Sequence, residues 1–182
     1  MESVRFQRKQ GLDNSDSVLY IGTFSKVLFP SLRIGYLVLP SSLVSLVTYG
    51  KWLNDRQLPT LEQRVLTDFI TEGHLESHIR KMRSHYDRCR QVLVRALQDH
   101  FGDRVTILGE QAGIHVMVRF SIELDDAEIR QRAESMGVGL MPARPHYLQD
   151  GGEAEFILGY GELDEGAIRV GVSTLAQVLT NS

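Results

Sequence analysis

Thr23-Phe24-Ser25-Lys26-Val27-Leu28-Phe29-Pro30-Ser31-Leu32-Arg33-Ile34-Gly35-Tyr36 is the stretch on which the fold turns. A lysine sits at the mouth of a loop between two apolar runs. Hydroxyls stand three residues and one residue before it, at Thr23 and Ser25, and Arg33 follows seven residues after it. The set has a chemical logic. An amine that attacks a carbonyl must be able to lose its proton, and a partly desolvated loop near other cations is the usual setting. Hydroxyls and a planar guanidinium are fixed donors for a phosphate group. Gly35, two residues past the arginine, lets the backbone pack closely. The bland alternative is an idle, solvated lysine at a strand end.

Working outward, Val18–Gly22 and Ile34–Leu39 are continuous apolar runs rich in β-formers, the second closed by Pro40. Neither alternates polar with apolar, which suits strands buried on both faces of an α/β sheet. Residues 1–17 read as an irregular lead-in, with turn chemistry over Gly11–Ser15. A helix is expected from Ser41 or Ser42 to about Asn54. Thr60-Leu61-Glu62-Gln63 reads as a capping box opening a second helix, which Gly73 ends. Leu75, Ile79, Met82, Tyr86, Cys89, Leu93, Ala96 and Leu97 then recur at spacings of three and four, one apolar face on a long helix ending near His100. The tail changes character. Strands are expected at 105–108, 114–120, 138–142 and 156–160. A helix spans 125–136, ended by Gly137, and Asp164 opens a last helix with Ile168, Val172, Leu175 and Leu179 on one face. The division expected is 1–101, with the long helix connecting, and a compact α+β unit over 102–182.

The bulk numbers narrow the function. Among 182 residues, 42% are hydrophobic and 24% charged, an ordinary globular composition. A net charge of -3 gives no electrostatic footprint for nucleic acid. The tightest basic group, Arg80, Lys81, Arg83, Arg88 and Arg90, reads as a helix face that is solvated or paired with acids. Cys89 is the single cysteine, so no internal disulfide forms and a reducing compartment is the simplest expectation. No apolar run approaches the roughly 18 residues of a spanning helix, and the polar N-terminus carries no apolar leader core. The expected location is the cytoplasm, with no membrane partner.

The pattern Ser/Thr-x-Ser-Lys-x-x-x-Pro-x-x-Arg-x-Gly-Tyr resembles that of the fold type I pyridoxal-phosphate enzymes, aminotransferase class I/II. Tyr20-Ile21-Gly22-Thr23-Phe24-Ser25-Lys26 with Leu32-Arg33-Ile34-Gly35-Tyr36-Leu37-Val38-Leu39-Pro40 is similar, more narrowly, to the aminotransferase-like domain of MocR-type regulators in the GntR class. Glu72-Gly73-His74-Leu75-Glu76-Ser77-His78-Ile79-Arg80-Lys81-Met82-Arg83 and Gly113-Ile114-His115-Val116 share that likeness. The resemblance implies an α/β protein: the C-terminal part of an aspartate aminotransferase-like large domain plus a small α+β domain. It implies pyridoxal 5'-phosphate as cofactor, held as a Schiff base on Lys26. Arg33, Thr23 and Ser25 would bind the phosphate. The implied partners are an amino acid or amine, a second copy in a homodimer, and DNA through a winged helix outside this sequence. The loop at Pro59-Thr60 would lie near the partner subunit's cofactor.

Two departures qualify the likeness. The family's front half supplies a helix N-terminus for the phosphate, a stacking aromatic and an aspartate on the pyridine nitrogen. None is found here: Asp13 and Asp16 lie too close to Lys26 along the chain, and Glu2–Phe6 resembles the segment just after the family's aspartate strand. The expectation is an N-terminally truncated member. Second, Ile157 in Phe156-Ile157-Leu158-Gly159-Tyr160 stands where relatives hold the substrate carboxylate with arginine. A buried carboxylate facing isoleucine would go unpaired. Arg144 is a substitute candidate, though a surface-loop arginine is the simpler reading. The function expected is an aminotransferase-like, cofactor-binding protein, part of a MocR-type regulator. The alternatives are a non-catalytic sensing and dimerising module, or an inactive truncated product. His74 and His78, four apart on a helix, have metal-ligand spacing but lack the zinc-protease glutamate. His115 reads as a hydrogen-bonded core histidine. Tyr49 and Trp52 cover either the core or a dimer contact.

Overall fold

The computed structural model describes residues 15–56, 59–109 and 113–180. The turn expected at Gly11–Ser15, Asp13 and the Glu2–Phe6 segment therefore lie wholly or mostly outside the described residues. By internal packing the chain divides into two compact units, 1–79 and 80–182. The division falls within the long helix, ahead of the 101/102 boundary expected from sequence.

In the first unit, β1 (Tyr20–Thr23) pairs antiparallel with β2 (Gly35–Val38), Thr23 opposite Gly35 and Gly22 opposite Tyr36. α1 (Ser41–Asp55) and α2 (Thr60–Thr71) come next. The two apolar runs are strands as expected, but they are not buried on both faces. Ile21 is 76% exposed and Leu37 50%. A continuous apolar run states what a strand can bury, not what is present to cover it. α1 makes the same point: it has no buried residue, and Tyr49 and Trp52 stack on each other at 6.0 Å while both remain exposed. The capping box at Thr60 is not formed. Pro59 occupies the N-cap, no side chain caps the helix, and Thr60 is its first residue. The Gln63 amide bonds the Pro59 carbonyl instead. Gly73, at φ 80°, ends this segment as read from sequence.

α3 (His74–Phe101) runs across the division. Its periodic face is real: Cys89, Leu93, Ala96 and Leu97 are buried. They enter one core with an antiparallel sheet of order β3-β4-β6-β5, built from β3 (Val105–Gly109), β4 (His115–Phe120), β5 (Met141–Pro142) and β6 (Glu155–Gly159). α4 (Asp126–Ser135) lies between β4 and β5, and α5 (Glu165–Thr180) ends the chain. Val116, Val118 and Phe120 alternate inward along β4 and meet Leu158 and Phe156 across the ladder. Ile168, Val172, Leu175 and Leu179 of α5 close the same core. β5 is shorter than its apolar run: only Met141 and Pro142 pair, opposite Ile157 and Phe156. His115 is not a core residue. It is exposed, because the same alternation that buries Val116 turns its neighbour outward.

Asp125 caps α4 with both halves of a capping box: it accepts from the Glu128 amide at 2.8 Å and the Glu128 carboxylate accepts from its amide at 3.4 Å. Asp125→Ala is expected to lower stability by about 1 kcal/mol. Urea unfolding of the two proteins measures this, and an unchanged midpoint would remove the cap from the account.

On the sheet's other face lies the single buried charge of the described core. Glu155 is 1% exposed. Arg119, its cross-strand partner, reaches it with Nε at 3.0 Å and with Nη2. The Tyr147 hydroxyl donates to its other oxygen at 2.5 Å. The Tyr147 ring needs the space left by Gly152, where a Cβ would come within 2.8 Å of it and which holds φ 78°. Glycine at 152 thus lets the strap after Arg144–His146 fold back over Glu155.

Candidate functional site

The loop from Phe24 to Ile34 is clamped at its base by the β1–β2 ladder. The Phe24 amide bonds the Ile34 carbonyl at 3.1 Å. Gly35 faces backbone here, and Gly22 faces the end of a side chain that would have to move. A Cβ at Gly35 would sit 2.9 Å from the Gly22 carbonyl oxygen, and one at Gly22 would strike the Tyr36 ring. That ring packs over Gly22 between Tyr20 and Phe24, at 5.9 and 5.5 Å.

Lys26 stands at the next turn. The amides of Val27 and Leu28 both bond the Phe24 carbonyl, at 3.1 and 2.8 Å. Lys26 is exposed and makes no ion pair among the described residues. The two hydroxyls lie together. The Ser25 amide donates to Thr23 Oγ1 at 3.1 Å, and Thr23 Oγ1 donates to Ser25 Oγ at 3.0 Å, with the Ile34 carbonyl a longer acceptor at 3.4 Å. Thr23 is thus committed within the loop. Ser25 accepts here and keeps its own hydroxyl proton for another acceptor.

Arg33 closes a short helical turn, Pro30–Leu32, in the left-handed region at φ 51°, ψ 32°. A non-glycine residue there is uncommon and mildly strained. Its side chain is exposed and makes no ion pair among the described residues. One loop therefore carries an exposed amine, an oriented hydroxyl pair and an uncommitted guanidinium. That donor set fits an aldehyde bearing a phosphate.

The histidines resolve into separate roles. His74 meets the Glu72 carboxylate at 3.1 Å. His85 approaches the Cys89 sulfur at 3.8 Å. His78 bonds the Val27 carbonyl at 3.0 Å, next to the lysine. Among the described residues no three His, Cys, Asp or Glu groups come together to hold a metal. Sequence spacing singled out His78, but for metal binding. A bond to a backbone carbonyl leaves no sequence signature. Of the basic helix face, Arg88 faces Glu165 at 3.8 Å and Arg90 pairs with Asp87 at 2.8 Å, so both are matched by acids. Arg144 is exposed in its short helical turn. Ile157 is half-buried on β6, opposite Met117 and Met141. No guanidinium occupies that position. No described helix is long and apolar enough to cross a membrane.

The fold is that of the type I aminotransferases, of which the chain represents the C-terminal part. α-Aminoadipate aminotransferase LysN of Thermus thermophilus, solved with N-(5'-phosphopyridoxyl)-L-leucine, superposes with a TM-score of 0.77 at 28% identity, over 90% of this chain and 42% of that one. In sequence its homologues are MocR-type regulators of the GntR class and pyridoxal-phosphate aminotransferases. An uncharacterized HTH-type transcriptional regulator of Bacillus subtilis, YhdI, is 36% identical over 166 residues, covering 91% of this chain and 35% of that protein. The probable rhizopine catabolism regulatory protein MocR of Rhizobium meliloti is 36% identical over 91% of this chain and 34% of its own length. The chain thus spans about a third of the length of these relatives. No protein-family model matches it.

Proposed function

We propose that this chain is the lysine-bearing part of an aminotransferase-like domain that binds pyridoxal 5'-phosphate and serves a MocR-type regulator as its effector sensor. The observation that carries the reading is the Lys26 loop, which is clamped at its base by the β1–β2 ladder and carries an exposed amine, the Thr23–Ser25 hydroxyl pair and Arg33. Lys26 would hold the cofactor through its amine. Arg33 and Ser25 would hold the phosphate, with Thr23 orienting Ser25. The bound cofactor supplies an aldehyde to which an incoming amine adds and an electron sink for the carbon that amine bears. Lys26, displaced by the incoming amine, would be the group placed to take a proton from that carbon, a step that sensing alone does not require. Pro59-Thr60 of this chain would lie at the partner's site in a homodimer, and the remaining cofactor contacts and a DNA-binding winged helix would come from residues outside this sequence. The setting is intracellular.

Sensing is favoured over transamination by Ile157. Its neighbours across the sheet are methionines, and a substrate carboxylate placed there would lose its water without gaining a cation. The ligand class, an amino acid or amine, is that implied by the aminotransferase-like relatives, and in this reading it perturbs the cofactor without being turned over. The test is to add pyridoxal phosphate to the purified chain and record visible absorption, then add amino acids and simple amines. The expected result is a visible band that shifts on amine addition with no keto acid formed. No band would sink the cofactor reading, and keto acid production would replace the sensor by a transferase.

A further inference from the structure

We propose that His78 is the positioning residue of the lysine loop. It holds the Val27 carbonyl and thereby fixes the backbone next to Lys26. The inference rests on the reading of Lys26 as the cofactor-linking residue.

His78 Nε2 lies 3.0 Å from the Val27 carbonyl oxygen, across 51 positions of sequence. A carbonyl oxygen only accepts, so Nε2 carries the hydrogen. Nε2 can donate in the neutral imidazole and in the charged one. The base from which it reaches is firm: α3 starts directly after Gly73, and the Ser77 amide bonds the Gly73 carbonyl at 3.2 Å.

The loop needs such a tether. The other hydrogen bonds made by residues 24–28, among those described, stay inside the segment 23–34. They shape the turn but do not fix it to another element. Apolar packing does not do so tightly either. Beyond Lys26 the loop borders an apolar groove of about 280 Å³, open to solvent, lined by Leu28, Phe29, Leu32, Leu61, Val65 and Phe69. A loosely packed apolar side permits the turn to shift, since contacts across a gap are forfeited. His78 is then the polar group that sets where Val27, and with it Lys26, stands relative to Ser25 and Arg33.

The test uses the full chain with His78→Ala, His78→Gln and His78→Asn. Glutamine places an amide donor about as far from its Cα as Nε2, whereas asparagine stops short. Hydrogen exchange of the peptide covering 24–33 is measured by mass spectrometry without cofactor. In His78→Ala it is expected to quicken about fivefold, the factor that loss of one ordinary hydrogen bond produces. His78→Gln should restore protection and His78→Asn should not. Peptides from 80–180 should be unchanged in all three, which separates loop release from global unfolding. Dissociation of bound pyridoxal phosphate on dilution should quicken in the same order. Unchanged exchange of 24–33 in His78→Ala, or equal behaviour of the Gln and Asn variants, overturns the proposal. If the wild-type chain takes up no cofactor, the Lys26 reading falls while the exchange data still decide the tether.

Discussion

Glu155→Ala is expected to destabilise the second unit by about 3 kcal/mol, the largest loss from a single polar group in the described core. The reason is satisfaction rather than charge alone. Glu155 is sealed beneath the Tyr147 strap, with one oxygen on Arg119 and the other on the Tyr147 hydroxyl. Removing it leaves a space, frees the strap and strips Arg119 of its partner. Arg119 is 52% exposed, so water takes up part of that last loss, and the figure sits at the low end of the range for broken buried pairs. Glu155→Gln keeps the shape and some of the bonding, and should lose about half as much. Urea unfolding of the three proteins measures the series. Equal midpoints for Glu155→Ala and wild type would show that the cluster is not holding the strap.

The cluster also predicts a pH dependence. The Tyr147 hydroxyl bond, then Arg119, holds the Glu155 carboxyl below the ordinary glutamate range against the opposing effect of burial. A carboxylate depressed on folding stabilises at pH values above its unfolded value and loses that contribution as pH falls through the folded one. At the other end, bonding to Glu155, with burial second, raises the Tyr147 hydroxyl. Its contribution is full below the ordinary tyrosine range and is lost as pH rises through the raised value. The advantage of wild type over Glu155→Gln should therefore be flat at neutral pH and narrow at both extremes. An advantage that grows on acidification below the glutamate range would contradict the assignment.

Lys26→Ala should abolish the visible cofactor band, with no residual amplitude. The band requires a covalent linkage to an amine, and Lys26 is the exposed amine of the loop that also carries Ser25 and Arg33. Arg33→Ala is a graded loss. It removes a charge-assisted phosphate bond, so affinity should fall about tenfold to a hundredfold while the band still forms at high cofactor. Equilibrium titrations followed by absorption separate the two outcomes. A full band in Lys26→Ala would move the site elsewhere.

Much of this was legible in the sequence, for reasons that differ by element. α3 and α5 were readable because a face repeating every three or four residues has one physical meaning: Cys89, Leu93, Ala96 and Leu97, and Ile168, Val172, Leu175 and Leu179, are buried as the periodicity named them, whereas Leu75, Ile79, Met82 and Tyr86 are only half-buried and Val92, Phe101 and Ala176 are buried without having been named. The helix start at Asp125 was readable, while its capping box with Glu128 comes from the structure. The lysine loop was readable as a set of donors, and Gly35 as a close approach. The exposure of β1 and β2 was not readable, because composition reports a strand's capacity for burial and not its surroundings. His115 was misplaced although its own strand alternates, and the apolar neighbours outweighed the period. Thr60 carried a capping pattern whose place at the N-cap Pro59 took. Glu155 gave no signal, since Arg119 and Tyr147 reach it only through the β4–β6 register and a glycine turn.

The most direct test of the central claim is where the cofactor attaches. The chain is incubated with pyridoxal phosphate, the linkage is reduced with borohydride, and the digest is mapped by mass spectrometry. The account predicts the added mass on the peptide containing Lys26, at one per chain. Label spread over Lys9, Lys51 and Lys81, or none above an unfolded control, would contradict it.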